Sequence, residues 1–192
     1  MFGELLGLWA ANIWRRMGAP KRFAWIELGP GRGTLMMDAV RAARVVPGFV
    51  AAAELHLVEV SPVLRRRQAE TLAGAGVSPT WHDDLTSLPD LPAIVLANEF
   101  FDALPVFQYV KAEDGWHERR VGIDNERLVF TEAPETLPGL EQLPLNVGNA
   151  HHGAILEWRD EAAAHALGKR IVQGGAALVI DYGHVQSAAG DT

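Results

Sequence analysis

Cysteine is absent from the chain. That removes disulfide frameworks, thiolate nucleophiles and thiolate metal sites, and it fits a reducing compartment. A basic excess is missing too. Seventeen Lys and Arg stand against 24 Asp and Glu, a formal net charge of −7, so charge gives no support to a nucleic-acid surface. The densest basic run is Arg65, Arg66 and Arg67. On a helix three consecutive side chains splay around the cylinder, so a solvated face is expected. The apolar opening of the chain is the nearest thing to a leader or a membrane span, yet Glu4 interrupts it and no basic stretch precedes it. Phe2, Leu5, Leu6, Trp9 and Ile13 recur there at helical spacing, which predicts an amphipathic packing helix. His151 and His152 are adjacent in a loop, where side chains diverge, and no acidic partner is spaced to join them, so no metal site is expected. The chain shows no internal repeat and no low-complexity tract.

What is present centres on Ile26-Glu27-Leu28-Gly29-Pro30-Gly31-Arg32-Gly33-Thr34. An apolar strand runs into three alternating glycines and a helix starts at once. Glycines let the backbone turn sharply and approach a ligand, and the helix start offers free N–H groups and partial positive charge. The dinucleotide fingerprint G-x-G-x-x-G fails, because its sixth position is Thr34 and the third glycine comes one residue early. A Walker loop is excluded as well, since no Gly-Lys-Ser/Thr follows. The remaining pattern, acidic-x-Gly-x-Gly-x-Gly led by Glu27, resembles the first motif of class I S-adenosylmethionine (SAM) methyltransferases.

The rest of the pattern is α/β. A helix to about Val46 buries Leu35, Ala39, Ala42, Ala43 and Val46, and Pro47-Gly48 stops it. A strand from Glu54 to Val60 leads to Ser61-Pro62, a cap and first-turn proline for the next helix. Thr80 to His82 is a short third strand. Ala93 to Ala97 is an uninterrupted apolar run, as in a strand covered on both faces. From Val106 to Phe130 three strand-like runs are separated by Glu113-Asp114-Gly115 and Asp124-Asn125, which predicts an inserted β-meander. Pro134 to Gly153 is expected to cross the surface as a loop, so the insertion covers about 106–153. A helix over about 155–172, with Trp158, Ala162, Ala166, Leu167 and Ile171 inward, precedes a fifth core strand over 176–180. The whole predicts one Rossmann-like domain over 1–192, with core strand order 3-2-1-4-5.

Candidate chemistry collects at the carboxyl ends of these strands, where open α/β sheets hold ligands. Glu59 closes the second strand, where this architecture places a carboxylate on a ribose diol. Asp83 and Asp84 end the third strand on the same rim. An adenine contact and a helix cap are equal readings for them. Asn98-Glu99-Phe100-Phe101-Asp102-Ala103-Leu104-Pro105 leaves the fourth strand. Its paired carboxylates suit a cationic or amine acceptor, with the phenylalanines excluding water; Asn98 as a turn cap and a core phenylalanine is the plainer reading. Asp181-Tyr182-Gly183-His184 ends the fifth strand: Tyr182 is placed to close over substrate and His184 titrates in the range useful to a base.

Together, Glu27 to Leu35, Ala97 to Val106, Asp181-Tyr182-Gly183 and the opening Phe2-Gly3-Glu4-Leu5-Leu6-Gly7 resemble the MidA family of SAM-dependent methyltransferases, found in bacteria and mitochondria. The resemblance covers nearly the whole chain. It implies SAM as cofactor, held by Glu27, Gly29, Gly31, Gly33, Glu59, Asp83, Asp84 and Asn98. It also implies catalysis by Glu99, Asp102 and His184, with Phe101 and Tyr182 on the substrate. Mitochondrial relatives assist respiratory complex I assembly by methylating an arginine of one subunit, so a protein substrate of that kind or a bacterial counterpart is implied, in the bacterial cytoplasm or the mitochondrial matrix. Family members begin earlier and continue well past the fifth strand, which implies a fragment. A non-catalytic assembly module and a small-molecule amine methyltransferase remain alternatives.

Overall fold

Strand β1 (Phe23–Leu28) is buried along its whole length, as six consecutive residues at the centre of a doubly covered sheet must be. The computed structural model describes residues 1–137, 150–172 and 174–183. Around β1 run helix α1 (Phe2–Arg16), α2 (Thr34–Ala43), α3 (Phe49–Ala52), β2 (Ala53–Val58), α4 (Pro62–Ala73), β3 (Thr80–His82) and β4 (Ala93–Asn98). The meander follows as β5 (Val106–Lys111), β6 (Trp116–Asp124), β7 (Arg127–Thr136) and β8 (Ile155–Arg159). Helix α5 spans Ala162–Val172 and strand β9 Gly175–Ile180. The chain divides into two compact units, one of Met1–Ala103 with Glu161–Tyr182 and a second holding Leu104–Asp160.

In the first unit five strands lie in the order β3-β2-β1-β4-β9, and every pairing is parallel. This is the predicted 3-2-1-4-5 sheet. Two apolar layers flank it. Phe23, Trp25, Leu55, Leu57, Ile94 and Leu96 face one layer with α1 and α2. Ala24, Ile26, Leu28, Val95 and Ala97 face the other with Leu167 of α5. In-register neighbours Trp25, Leu55 and Ile94 share a face because parallel pairing keeps side-chain parity.

Helix α1 packs on α2 through a stripe that only partly matches the expected one: Leu6 is buried and Trp9 and Ile13 pack against the core, as expected. Gly3, Leu6, Gly7, Ala10, Ala11 and Trp14 are buried, while Phe2 and Leu5 are exposed. A Cβ on Gly7 would lie 2.2 Å from the Ala39 carbonyl oxygen, and one on Gly3 2.6 Å from that of Leu35. The two backbones approach so closely that small residues, not large apolar ones, decide which face goes in. On α2, Ala39 and Ala43 are buried as expected and Leu35, with Val46 just past the helix, packs partly against the core, while Met36 and Val40, not anticipated, are fully buried.

The second unit is a four-stranded antiparallel sheet, β7-β6-β5-β8. The predicted hairpin turns are there. At the β6–β7 turn Asn125 and Glu126 have φ of 47° and 63°, the left-handed pair that a two-residue hairpin uses. Two expectations fail. Pro134 to Thr136 belong to β7, and residues 138–149 of the expected loop lie outside the described residues. Residues 155–159 are strand β8, paired to β5 with Trp158 opposite Phe107, so the helix starts only at Ala162. Apolar and polar residues alternate only from Leu156 to Arg159, too short a run for its period to decide, and pairing to an existing strand settles it.

Candidate functional site

The carboxyl ends of β1, β2, β3, β4 and β9 form one rim, because all five strands run in the same direction. The loop from β1 to α2 crosses it. Gly29, Gly31 and Gly33 have φ of 60°, 54° and 78°, so each occupies left-handed backbone that a side chain disfavours. Their surroundings differ. A Cβ on Gly29 would meet Phe100 Cδ2 at 3.0 Å, one on Gly33 would touch Gln68 at 3.4 Å, and one on Gly31 would meet nothing within 4 Å. The apex is thus open to a ligand while its two ends are packed. Gly33 is the residue before α2, whose first-turn N–H groups have no intrahelical partner.

Beneath the loop, Glu27 is 3% exposed. Its Oε2 finds no hydrogen-bond partner among the described groups, and burial pushes its pKa up to about 8. Glu59 follows β2 directly. Its Oε1 accepts from the Ser61 N–H at 2.9 Å and its Oε2 from Gln68 Nε2 at 3.2 Å, while its own N–H donates to the His82 carbonyl. Asp83 accepts from Arg65 Nη2 at 2.6 Å. Asp84 caps the following turn, accepting from the Thr86 N–H at 2.7 Å and its hydroxyl at 2.6 Å, which hold its pKa below the usual carboxylate range. No helix follows Asp84, so the helix cap expected from the sequence is absent and these bonds close a local turn instead.

Across the rim, Asn98 ends β4 and Glu99 adopts φ 51°, a conformation that non-glycine residues rarely hold and that recurs at ligand sites. Glu99 N–H donates to the Ile180 carbonyl at 2.8 Å, tying the turn to β9. Asp181 then clamps it. Its Oδ2 accepts from the N–H groups of Phe101 at 2.9 Å and Asp102 at 3.2 Å, and its Oδ1 from Tyr182 N–H at 2.9 Å. Desolvation raises the Glu99 pKa, and the negative charges of Asp102 and Asp181 add to that. Phe100 and Phe101 stand edge to face with centroids 5.2 Å apart and pack against the α5-side core. Tyr182 is largely exposed. His184 lies outside the described residues.

The family model described as "Putative S-adenosyl-L-methionine-dependent methyltransferase" matches residues 5–192. The chain belongs to this family. Among curated relatives, the mitochondrial protein arginine methyltransferase NDUFAF7 of Danio rerio is 35% identical over 211 residues, 96% of this chain and 49% of that protein. Its Homo sapiens counterpart is 36% identical over 215 residues, 96% of this chain and 47% of that protein. The chain spans about half the length of the curated relatives it matches. Two solved structures from Burkholderia thailandensis share the fold. One has 29% identity and a TM-score of 0.70 over 95% of this chain and 48% of its own. The other, with S-adenosyl-homocysteine bound, has 28% identity and a TM-score of 0.67 over 95% of this chain and 47% of its own.

The residues fit the cofactor of this methyltransferase family on their own chemistry. An unpaired buried carboxyl oxygen at Glu27 suits a cationic ligand, and the open glycine apex accepts a close one. Three residues of the rim had no assigned role in the sequence reading. Asp181, part of the motif after the fifth core strand, holds the Phe101–Asp102 turn. Arg65, expected on a solvated face, instead donates to the Glu59 carbonyl at 2.6 Å as well as to Asp83. Gln68 is fully buried on α4. Only a polar residue placed inward on an otherwise charged helix could have signalled it.

Proposed function

We propose that the chain carries the SAM-binding part of a methyltransferase whose acceptor is a protein arginine, as one domain with the meander inserted. The observation that carries this reading is the rim itself: three left-handed glycines, a buried unpaired Glu27 and Glu59 on one side, Glu99 and Asp102 on the other. The names of the relatives support an arginine acceptor. The family resemblance favours a respiratory complex I subunit or its bacterial counterpart.

When bound, SAM supplies an electrophilic methyl on a sulfonium. Its transfer to a guanidinium nitrogen breaks the sulfur–methyl bond, leaves S-adenosylhomocysteine and releases one proton. The backbone from Gly29 to Gly33 takes the methionine moiety and Glu59 the ribose hydroxyls, while Asp83, Asp84 and Asn98 complete the cofactor side. Glu99 and Asp102 receive the planar, forked donors of the guanidinium and aim one nitrogen at the methyl carbon. Phe101 and Tyr182 border the acceptor. Positioning of this kind supplies about 7–11 kcal/mol. Deprotonating arginine beforehand at pH 7 would cost roughly 7 kcal/mol, so the proton leaves with or after the methyl. Glu99, whose pKa is raised, is the better of the two rim carboxylates to take it, with His184 as the further candidate.

Calorimetry of the chain with S-adenosylhomocysteine and with NAD tests the cofactor. Binding of NAD with no response to S-adenosylhomocysteine would overturn the reading. For the acceptor, Glu99→Gln and Asp102→Asn should each depress methyl transfer to an arginine peptide while leaving S-adenosylhomocysteine affinity intact. Near-normal turnover in both variants would remove their assigned roles.

A further inference from the structure

Gln68 has no place in the family resemblance and none in the chemistry above, yet its side chain makes three hydrogen bonds at the cofactor side of the rim. Its Nε2 donates to the Gly31 carbonyl at 2.8 Å and to Glu59 Oε2 at 3.2 Å. Its Oε1 accepts from Trp81 Nε1 at 2.8 Å. Both amide N–H donors and the amide oxygen are thus engaged, and the side chain joins the apex of the glycine loop, the carboxylate after β2 and the residue that pairs with Leu57 on β3. The backbone of Gln68 also abuts Gly33, where a Cβ would lie 3.4 Å from the Gln68 Cα. A buried, fully satisfied polar network fixes the geometry of its members.

We propose that Gln68 is a positioning residue for ribose recognition: it sets the rotamer of Glu59 and its register with the glycine loop. This rests on the reading of Glu59 as the ribose carboxylate. Among the described residues the Glu59 carboxylate accepts two hydrogen bonds, from the Ser61 N–H on Oε1 and from Gln68 Nε2 on Oε2. Each oxygen keeps further lone-pair capacity for a hydroxyl, so the two restraints aim the carboxylate without consuming it. With Gln68 removed, Oε2 is free to swing, and the Gly31 carbonyl loses its partner at the same time. Trp81 carries the restraint to the strand that precedes Asp83, so one side chain couples three stretches far apart in sequence.

The test compares S-adenosylhomocysteine with its 2′-deoxy analogue, measured by calorimetry on the wild-type chain, Gln68→Leu and Gln68→Glu. The wild type should prefer the ribose form by about tenfold or more, the scale of a charge-assisted hydrogen bond. In Gln68→Leu the loosened glycine loop weakens both ligands, but S-adenosylhomocysteine should lose about tenfold more affinity than the deoxy analogue, so the preference falls toward one. A residue that merely supports the fold would weaken both ligands in proportion, and that result overturns the proposal. Should Gln68→Leu not fold, Gln68→Glu retains the shape and decides. A carboxylate there repels Glu59, so the ribose preference should shrink as pH rises, and a preference that stays constant with pH overturns it equally. A wild-type chain that binds S-adenosylhomocysteine without ribose preference removes both the Glu59 assignment and the role of Gln68. One that binds neither ligand removes the SAM reading itself.

Discussion

Replacing Glu27 by Gln should make the chain more stable and a poorer SAM binder. The carboxyl is 3% exposed, Oε2 is unpaired, and burial lifts the pKa to about 8 against about 4.3 for a glutamate in the unfolded chain. A raised carboxyl pKa favours the protonated form in the fold. Between the two values the folded chain keeps a proton that the unfolded chain has released, so stability is full below about pH 4.3 and falls as pH rises, by about 1.4 kcal/mol per unit. From pH 5 to pH 7 the loss is about 2–3 kcal/mol. Glutamine has the same shape and does not titrate. Its buried amide gives back about 1–3 kcal/mol if left unpaired, a term that does not vary with pH. The decisive quantity is therefore the difference between variant and wild type, followed by urea denaturation from pH 5 to pH 8. It should rise by about 2–3 kcal/mol over the first two units in favour of Glu27→Gln. A difference that stays flat would refute the buried, neutral carboxyl. The same group links stability to function. A cationic ligand beside Glu27 favours the carboxylate, so binding of SAM, which carries a sulfonium, should release a proton near pH 7, seen as a binding enthalpy that depends on the buffer. The variant should lose both that dependence and part of its affinity.

The paired histidines predict the opposite slope. His56 Nδ1 and His82 Nε2 lie 2.9 Å apart, and burial, reinforced by His82, lowers the His56 pKa to about 4. Its contribution is full above about pH 6.5 and is lost as pH falls toward 4, about 2–3 kcal/mol by pH 4.5. His56→Gln should therefore be less acid-sensitive than wild type in denaturation at pH 7 and pH 4.5. Gly7→Ala should lower stability by about 1–3 kcal/mol or more, since its Cβ would meet the Ala39 backbone at 2.2 Å. An unchanged melting temperature would contradict that close approach. Asp181→Ala should release the turn at Phe101 and Asp102, cutting methyl transfer to an arginine peptide about tenfold or more with S-adenosylhomocysteine affinity retained. Equal loss of both would place Asp181 in the cofactor site instead.

Local sequence determined the sheet of this protein because its signals are local. Three alternating glycines, an apolar run at 93–97 and acids placed where strands end each state a backbone need or a burial within a few residues, and together they placed the strands and the rim along the chain, while the strand order was expected from the methyltransferase-type fold they resemble. The hairpin at Asn125 was legible for the same reason. Where a residue's fate depended on a distant surface, pattern was not enough. The inward face of α1 went to Gly3 and Gly7 because α2 lies so close, and hydrophobicity ranks glycine below Phe2 and Leu5. Residues 155–159 became a strand because β5 offered an unpaired edge. Gln68 and Asp181 acquired partners 37 and about 80 positions away in sequence. A hydrogen bond between such distant residues is a product of tertiary folding, and no reading of neighbours along the chain contains it.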